Sequence, residues 1–414
     1  MHSHVPTDPL ADVVVVGGGH AGVEACTALR KLGHWGRLTL VCDEGTAPYQ
    51  RPPLSKEHLR GAPTTPLRAD AFYERECIEL VHDPAAWIDR AGRTLVLAGG
   101  RRLPYGRLVL ATGARPRPLP VPGADAEGVL ALRTVADAAA LHARLGAARD
   151  VVVVGGGFVG LEVAAAAPST CRVSVVESLP RIMARAVSPV LSAHLTAVHR
   201  RRAVRIALGR SVRAVRADSA GRACGVVLDD GTHIAADLVL VGIGAVPNTQ
   251  LAAGAGLRID NGIAVDSHLR TSDPAVLAIG DCASYPEPRL GRRVRLESVQ
   301  NATDQGRHVA ATIAGTPGPY AAAPWFWSDQ GDVRLQLAGF HEGYDQLVTL
   351  GDPGTGAFSV CAFRNERLIA VESVNRPLDH MAARRLLATG PARVTPADVS
   401  RPGLVLKDVL RQPV

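Results

Sequence analysis

The sequence predicts an α/β protein in which one β-α-β unit is inserted into another and a smaller α+β region follows. Three observations predict it: a repeated segment, a β-branched run ahead of the glycines in each copy, and a change to alternating apolar and polar residues toward the C-terminus. Residues 13–28 and 151–166 match at ten of sixteen positions and lie 138 residues apart. Each copy opens on four valines, and a continuous β-branched run marks a parallel strand buried on both faces. Three glycines follow, then an alanine-rich stretch with helical spacing. Each copy goes on to another apolar run, at 38–42 in the first and 173–176 in the second.

Between the copies, Leu108-Val-Leu-Ala-Thr-Gly-Ala-Arg-Pro116 reads as a strand that stops at a glycine and enters a proline-rich linker at 116–122. After the second copy, Asp237-Leu-Val-Leu-Val-Gly-Ile-Gly-Ala-Val-Pro-Asn248 ends in a Gly/Pro turn, and Val276-Leu-Ala-Ile-Gly-Asp-Cys282 reads as one more buried strand. Residues 317–324 read as a second linker. Beyond it, Val333, Leu335 and Leu337, then Leu368, Ala370 and Val371, carry the pattern of a small antiparallel sheet with helices. The expected division is therefore 1–112 with 241–322 for the outer domain, 113–240 for the inserted one and 323–414 for the C-terminal one.

At ~150 residues per domain, 414 residues suit two to three domains. A hydrophobic content of 47% beside 21% charge excludes disorder for most of the chain. No apolar stretch approaches the ~18 residues of a membrane span. The first residues lack the basic segment and cleavage site of a secretory signal, so a cytoplasmic protein is expected. The nearest two of the seven cysteines, Cys26 and Cys42, are sixteen apart, so no C-x-x-C exists for redox or zinc chemistry, and no metal site is expected. The net charge of +7 is carried almost wholly by arginine, Lys31, Lys56 and Lys407 being the lysines. Scattered arginines with 4% aromatic residues argue against nucleic acid, and an acidic protein partner fits at least as well.

Gly17-x-Gly19-x-x-Gly22 comes straight after a strand and opens a helix, the context a dinucleotide fingerprint requires. The first glycine makes the tight turn, the second lets backbone approach a pyrophosphate, and the third lets helix and strand pack closely. The helix N-terminus adds partial positive charge. Asp43 and Glu44 end the next strand, where a carboxylate bonds ribose hydroxyls. Gly155-x-Gly157-x-x-Gly160 repeats the pattern with Glu177, an acid that accepts from the 2′-hydroxyl of NAD and repels the 2′-phosphate of NADP. Arg181 and Arg185 stand nearby and complicate that preference, but NAD remains favoured. Two fingerprints imply two dinucleotides, FAD in the outer unit and a nicotinamide in the inserted one, with hydride passing between them. Lys56 follows Pro-Pro-Leu-Ser in a chain that otherwise writes its basic positions as arginine, which suggests that a compact ammonium is wanted there.

Tyr49-Gln-Arg-Pro-Pro-Leu-Ser-Lys56, Ala111-Thr-Gly-Ala-Arg-Pro-Arg-Pro118, Ala278-Ile-Gly-Asp-Cys-Ala283, Glu297-Ser-Val-Gln-Asn301 and Pro324-Trp-Phe-Trp-Ser-Asp-Gln330 together closely resemble the NADH-dependent ferredoxin reductases, the putidaredoxin reductase-like flavoproteins. The resemblance covers essentially the whole chain. It implies a glutathione-reductase-like fold with FAD, NAD and C-terminal domains. It also implies that Ala21, Asp43, Ala85, Arg133, Asp281, Val299 and Trp327 contact the cofactor. Lys56 would lie against the flavin, paired with Glu162, and a lysine there favours the electron-rich reduced ring. A helix beginning at 298–307 would turn its positive end to the same ring.

The cysteines bear on the electron acceptor. Disulfide-reducing proteins of the same fold place C-x-x-C beside the flavin, whereas residues 49–56 contain no cysteine. Electrons are then expected to leave for an external carrier, an acidic [2Fe-2S] ferredoxin that supplies a haem-thiolate monooxygenase or a ring dioxygenase. The alternatives are a rubredoxin as carrier, an NADH oxidase, and a redox-sensing protein that uses NADH to switch partners.

Overall fold

The computed structural model describes residues 12–316, 318–388, 390–392, 394–401 and 403–410. Residues 1–11 and the start of the second expected linker, Pro317, lie outside the described residues. The chain forms two compact units, one from residues up to 50, 65–115 and 246–322, the other from 51–64, 116–245 and 323–414.

In the first unit, parallel strands run in the order Val276–Ala278, Arg107–Leu110, Val13–Val16, Leu38–Cys42, Ile78–His82. Val13 sits opposite both Leu38 and Arg107, so the first valine run is central and all four side chains are buried. Burying each valine contributes roughly 1.5–3 kcal/mol, which is why such a run forms a strand. Helix His20–Lys31 follows and ends on Arg30 and Lys31, cations at the negative end of its dipole. Helix Val299–Ile313 lies so close to it that a Cβ on Gly306 would come 2.8 Å from the Ala21 carbonyl oxygen. The strand expected over 276–282 is shorter than that. It stops at Ala278, and a 3-10 turn, Gly280–Cys282, replaces its end. Gly280 adopts φ +74°, which leaves extended geometry, and its N–H turns to Gln305 Oε1 at 2.7 Å.

The second unit repeats the design. Its parallel strands run Arg205–Leu208, Arg172–Glu177, Asp150–Val154, Leu238–Val241, Val129–Leu130. Val151 faces Val173 on one side and Leu238 on the other, as Val13 does in the first unit. Helix Pro189–Arg201 starts at Ser188, whose hydroxyl accepts from the Leu191 N–H, with proline at its first position. The C-terminal part is an antiparallel sheet in the order Trp325–Gln330, Val333–Gly339, Arg367–Val374, Ala357–Arg364, Gln346–Asp352, with helix Pro377–Leu386 packed on it. Leu161 and Val163 from helix Phe158–Ala166 share one apolar core with Val333, Leu335, Phe358 and Val374 of this sheet. Among the described residues, no helix is long and apolar enough to cross a membrane.

One buried acid ties the sheet to the inserted unit. Glu372, 3% exposed, accepts from the Ser188 N–H at 2.8 Å and the Ser188 hydroxyl at 2.5 Å. Burial pushes its carboxyl up to about 7, against the opposing effects of those hydrogen bonds and of Arg181. An unfolded glutamic acid titrates near ~4.3, so the native state holds this proton more tightly. The resulting stabilisation is complete below the unfolded value and is lost as pH rises through the folded one. Glu372→Gln keeps an acceptor without the charge. Its stability is expected to gain on wild type as pH rises from about 5 to about 8, by on the order of 3 kcal/mol, read as a widening gap between the two melting temperatures. Melting curves that stay a fixed distance apart over that range would contradict this.

Candidate functional site

In the first unit Gly17 makes the tight turn and Gly22 allows the close helix–strand packing that the spacing predicts. Gly17 has φ +119°, and a Cβ there would come 2.2 Å from the Ala111 carbonyl oxygen. A Cβ on Gly22 would come 2.1 Å from the Gly17 carbonyl oxygen, so helix and strand meet at backbone distance. Gly19 caps the helix with no side-chain bond, no acid occupies the first turn, and a Cβ there would meet open space. Uncapped N–H groups beside free volume form an anion cradle, and a dinucleotide pyrophosphate suits it.

Around that cradle, Ala21 is buried, and a Cβ on Gly280 would meet the Ala21 methyl at 3.0 Å. The turn carrying Asp281 is thus brought to the start of the fingerprint helix. Arg295 donates to the Asp281 carbonyl at 3.1 Å. Val299, half-buried, is the first residue of its helix, which Ser298 caps by accepting from the Asn301 N–H at 3.0 Å. Asp43 is exposed just past strand Leu38–Cys42, whereas Glu44 takes the Tyr49 hydroxyl. Ala85 shares the core of the unit but heads a strand of a separate three-stranded antiparallel sheet.

The second unit carries the matching cradle. Gly155 has φ +103°, with a built Cβ 2.4 Å from the Gly242 carbonyl oxygen; one on Gly160 would lie 2.5 Å from the Gly155 carbonyl oxygen. Gly157 caps helix Phe158–Ala166 with no side-chain bond and no acid in the first turn. Glu177 is buried and engaged: its carboxylate accepts from the Gly156 N–H at 2.7 Å and the Leu179 N–H at 2.8 Å. Arg181, a candidate for a 2′-phosphate, donates instead to the Val187 and Ala184 carbonyls, both at 2.7 Å. Arg185 is exposed.

The same unit brings Lys56 and Glu162 together. Lys56 Nζ lies 2.8 Å from Glu162 Oε2 and 3.1 Å from the Pro52 carbonyl oxygen, with side-chain exposures of 13% for the lysine and 6% for the glutamate. The 3-10 turns Pro52–Ser55 and Glu57–Arg60 flank Lys56, and Glu162 faces inward on the fingerprint helix. Sequence reasoning missed two further partners. Ser55 donates to Glu162 Oε2, and Ser328 donates to Oε1 at 2.6 Å. Both serines lie inside motifs that carry the resemblance, so position alone marked them, without a role. Arg133 precedes the capping box Thr134/Asp137, its N–H on Asp137 at 3.0 Å and its carbonyl taking Arg51 at 2.9 Å. Trp327 is half-buried, its ring 5.8 Å from that of Trp325 and 6.5 Å from that of Phe326.

All seven cysteines are free. Cys26, Cys42, Cys282 and Cys361 are buried, Cys171 is half-buried, and Cys77 and Cys224 are exposed. Burial, together with Asp43 and Glu44, pushes the Cys42 thiol up to about 12, which leaves it protonated and poorly nucleophilic at neutral pH.

Two nucleotide cradles on parallel sheets, followed by an antiparallel domain, define a two-dinucleotide oxidoreductase. The chain belongs to the pyridine nucleotide-disulphide oxidoreductase family, which matches residues 11–306, and the reductase C-terminal family matches residues 325–410. It is 47% identical to rhodocoxin reductase of Rhodococcus erythropolis over 91% of this chain and 89% of that one. Among solved structures, a ferredoxin reductase from Rhodopseudomonas palustris superposes with a TM-score of 0.93 at 44% identity, covering 96% of this chain and 99% of that one. The covalent putidaredoxin reductase–putidaredoxin complex gives 0.92 at 39% identity, covering 97% and 98%.

Proposed function

We propose that the chain is an FAD-dependent NADH:ferredoxin oxidoreductase. The observation that carries this reading is the Lys56–Glu162 pair beside a second nucleotide cradle, in a chain whose 49–56 segment holds no thiol. The named relatives support it, being reductases of small electron carriers. FAD, when bound, takes a hydride from NADH and releases electrons singly.

The residues divide that work. Gly17, Gly19 and Gly22 admit the FAD pyrophosphate, with Ala21, Asp43, Ala85, Arg133, Asp281, Val299 and Trp327 as further cofactor contacts. Gly155, Gly157 and Gly160 admit NADH. Glu177 disfavours a 2′-phosphate by its charge, and the Arg181 guanidinium is oriented by the Val187 and Ala184 carbonyls, which take two of its five donors. Lys56 holds positive charge at the flavin, and Glu162 keeps that charge in place where water is scarce. The proposed domains are FAD-binding at 1–112 and 241–322, NAD-binding at 113–240 and C-terminal at 323–414, in a cytoplasmic enzyme.

The carrier is an acidic [2Fe-2S] ferredoxin feeding a monooxygenase or dioxygenase, and the +7 charge of the chain suits such a partner. Anaerobic titration of the yellow protein with NADH, followed by mixing with a [2Fe-2S] ferredoxin, is expected to bleach the flavin and then reduce the cluster. The second-order rate should fall at least severalfold as salt rises from about 0.05 to about 0.5 M, because the attraction is screened. Reduction of rubredoxin but not of ferredoxin, or a rate indifferent to salt, would count against the reading.

A further inference from the structure

We propose that Ser328 is a positioning residue for the Lys56–Glu162 pair, fixing the carboxylate through a one-way chain of buried hydrogen bonds that begins at His199. The inference rests on Lys56 serving the flavin as proposed above.

Strand Trp325–Gln330 alternates its faces, so Ser328 and Gln330 point the same way, and both are fully buried. His199, also fully buried, comes from the last turn of helix Pro189–Arg201. Its Nε2 donates to Gln330 Oε1 at 2.8 Å. With that oxygen engaged, the Gln330 amide nitrogen turns to Ser328 Oγ at 3.3 Å and to Met183 Sδ at 3.8 Å. A serine hydroxyl has one hydrogen. Because Ser328 accepts from Gln330, that hydrogen is committed to Glu162 Oε1 at 2.6 Å.

Every donor in the chain therefore points toward the carboxylate, and each link polarises the next. The carboxamide in the middle makes this a device that orients charge rather than one that carries protons. The two oxygens of Glu162 are not equivalent. Oε2 takes both Lys56 and Ser55, while among the described residues Ser328 alone donates to Oε1. Without Ser328 the carboxylate is held at Oε2 alone, so rotation about its last torsion is less restrained and the ammonium bonded to Oε2 is less sharply positioned.

The test uses the FAD-loaded enzyme. Ser328→Ala, Ser328→Thr, Lys56→Met and the double variant Lys56→Met/Ser328→Ala are compared by rapid-mixing reduction with NADH and by dye-linked measurement of the flavin midpoint potential. Ser328→Ala is expected to lower the limiting reduction rate about tenfold, the scale of a hydrogen bond to a charged group, at an unchanged NADH dissociation constant. The midpoint potential should move negative, and Ser328→Thr should restore both quantities. In the Lys56→Met background the alanine substitution should add nothing. Equal losses in both backgrounds, or a weaker NADH affinity with the limiting rate intact, would overturn the proposal. Lys56→Met at the wild-type rate would remove the reading beneath it. Slow Lys56→Met beside unaffected Ser328→Ala would remove the Ser328 step alone. Should Ser328→Ala not fold, Gln330→Met breaks the chain one link further out and should give a smaller loss of the same kind; no loss there would also count against it.

Discussion

Flavin reduction by NADH is expected to slow about 100-fold when Lys56 is replaced by methionine, the loss typical of removing one preorganised charge. Lys56 is 13% exposed and shares its ammonium between Glu162 and the Pro52 carbonyl, so water cannot replace it cheaply. Methionine fills the space but leaves the Glu162 carboxylate buried with no cation, and breaking a buried pair costs about 3–5 kcal/mol of stability. Lys56→Met/Glu162→Gln removes the stranded charge as well. If Lys56 acts on the flavin, the double variant regains thermal stability but not speed. Stopped-flow bleaching decides the matter: a wild-type rate in either variant would end the role given to Lys56.

Gly17→Ala is expected to yield a colourless protein. The glycine sits at φ +119°, and the added methyl would lie 2.2 Å from the Ala111 carbonyl oxygen, a clash with backbone that no rotamer relieves. The first cradle must open, and the cost in stability is about 2–3 kcal/mol. Gly155→Ala makes the matching clash with Gly242, at 2.4 Å, in the other cradle. That variant should stay yellow yet bleach poorly with NADH. Visible spectra and melting curves of the two proteins separate the cofactor assignments, and the reverse pattern of colour would exchange them.

The double β-α-β plan was legible because it rests on local signals. Valine runs at 13–16 and 151–154, with glycines at fixed offsets, specify strand, turn and helix within thirty residues. The Lys56–Glu162 pair was legible only through family likeness, since 106 residues separate the two. Ser328 was harder still. Period-two alternation groups it with Phe326 and Gln330, but it does not say which face of that strand meets the fingerprint helix. Glu372 and Ser188, 184 residues apart, carry no sequence sign of their contact. The shortened strand at 276–278 turned on one left-handed glycine, whose conformation the apolar run conceals. Propensity reads neighbours along the chain, while buried polar pairs are chosen by packing across it.

The distribution of sulfur has a practical consequence. Cys77 belongs to the first compact unit and Cys224 to the second, and both stand in solvent while four of their fellows are shielded. The native chain therefore offers a maleimide fluorophore one anchorage on each half, without engineering. A dye at either position would report on the unit that carries it, and uptake of about two dyes per folded chain would confirm that these two thiols are the reactive ones.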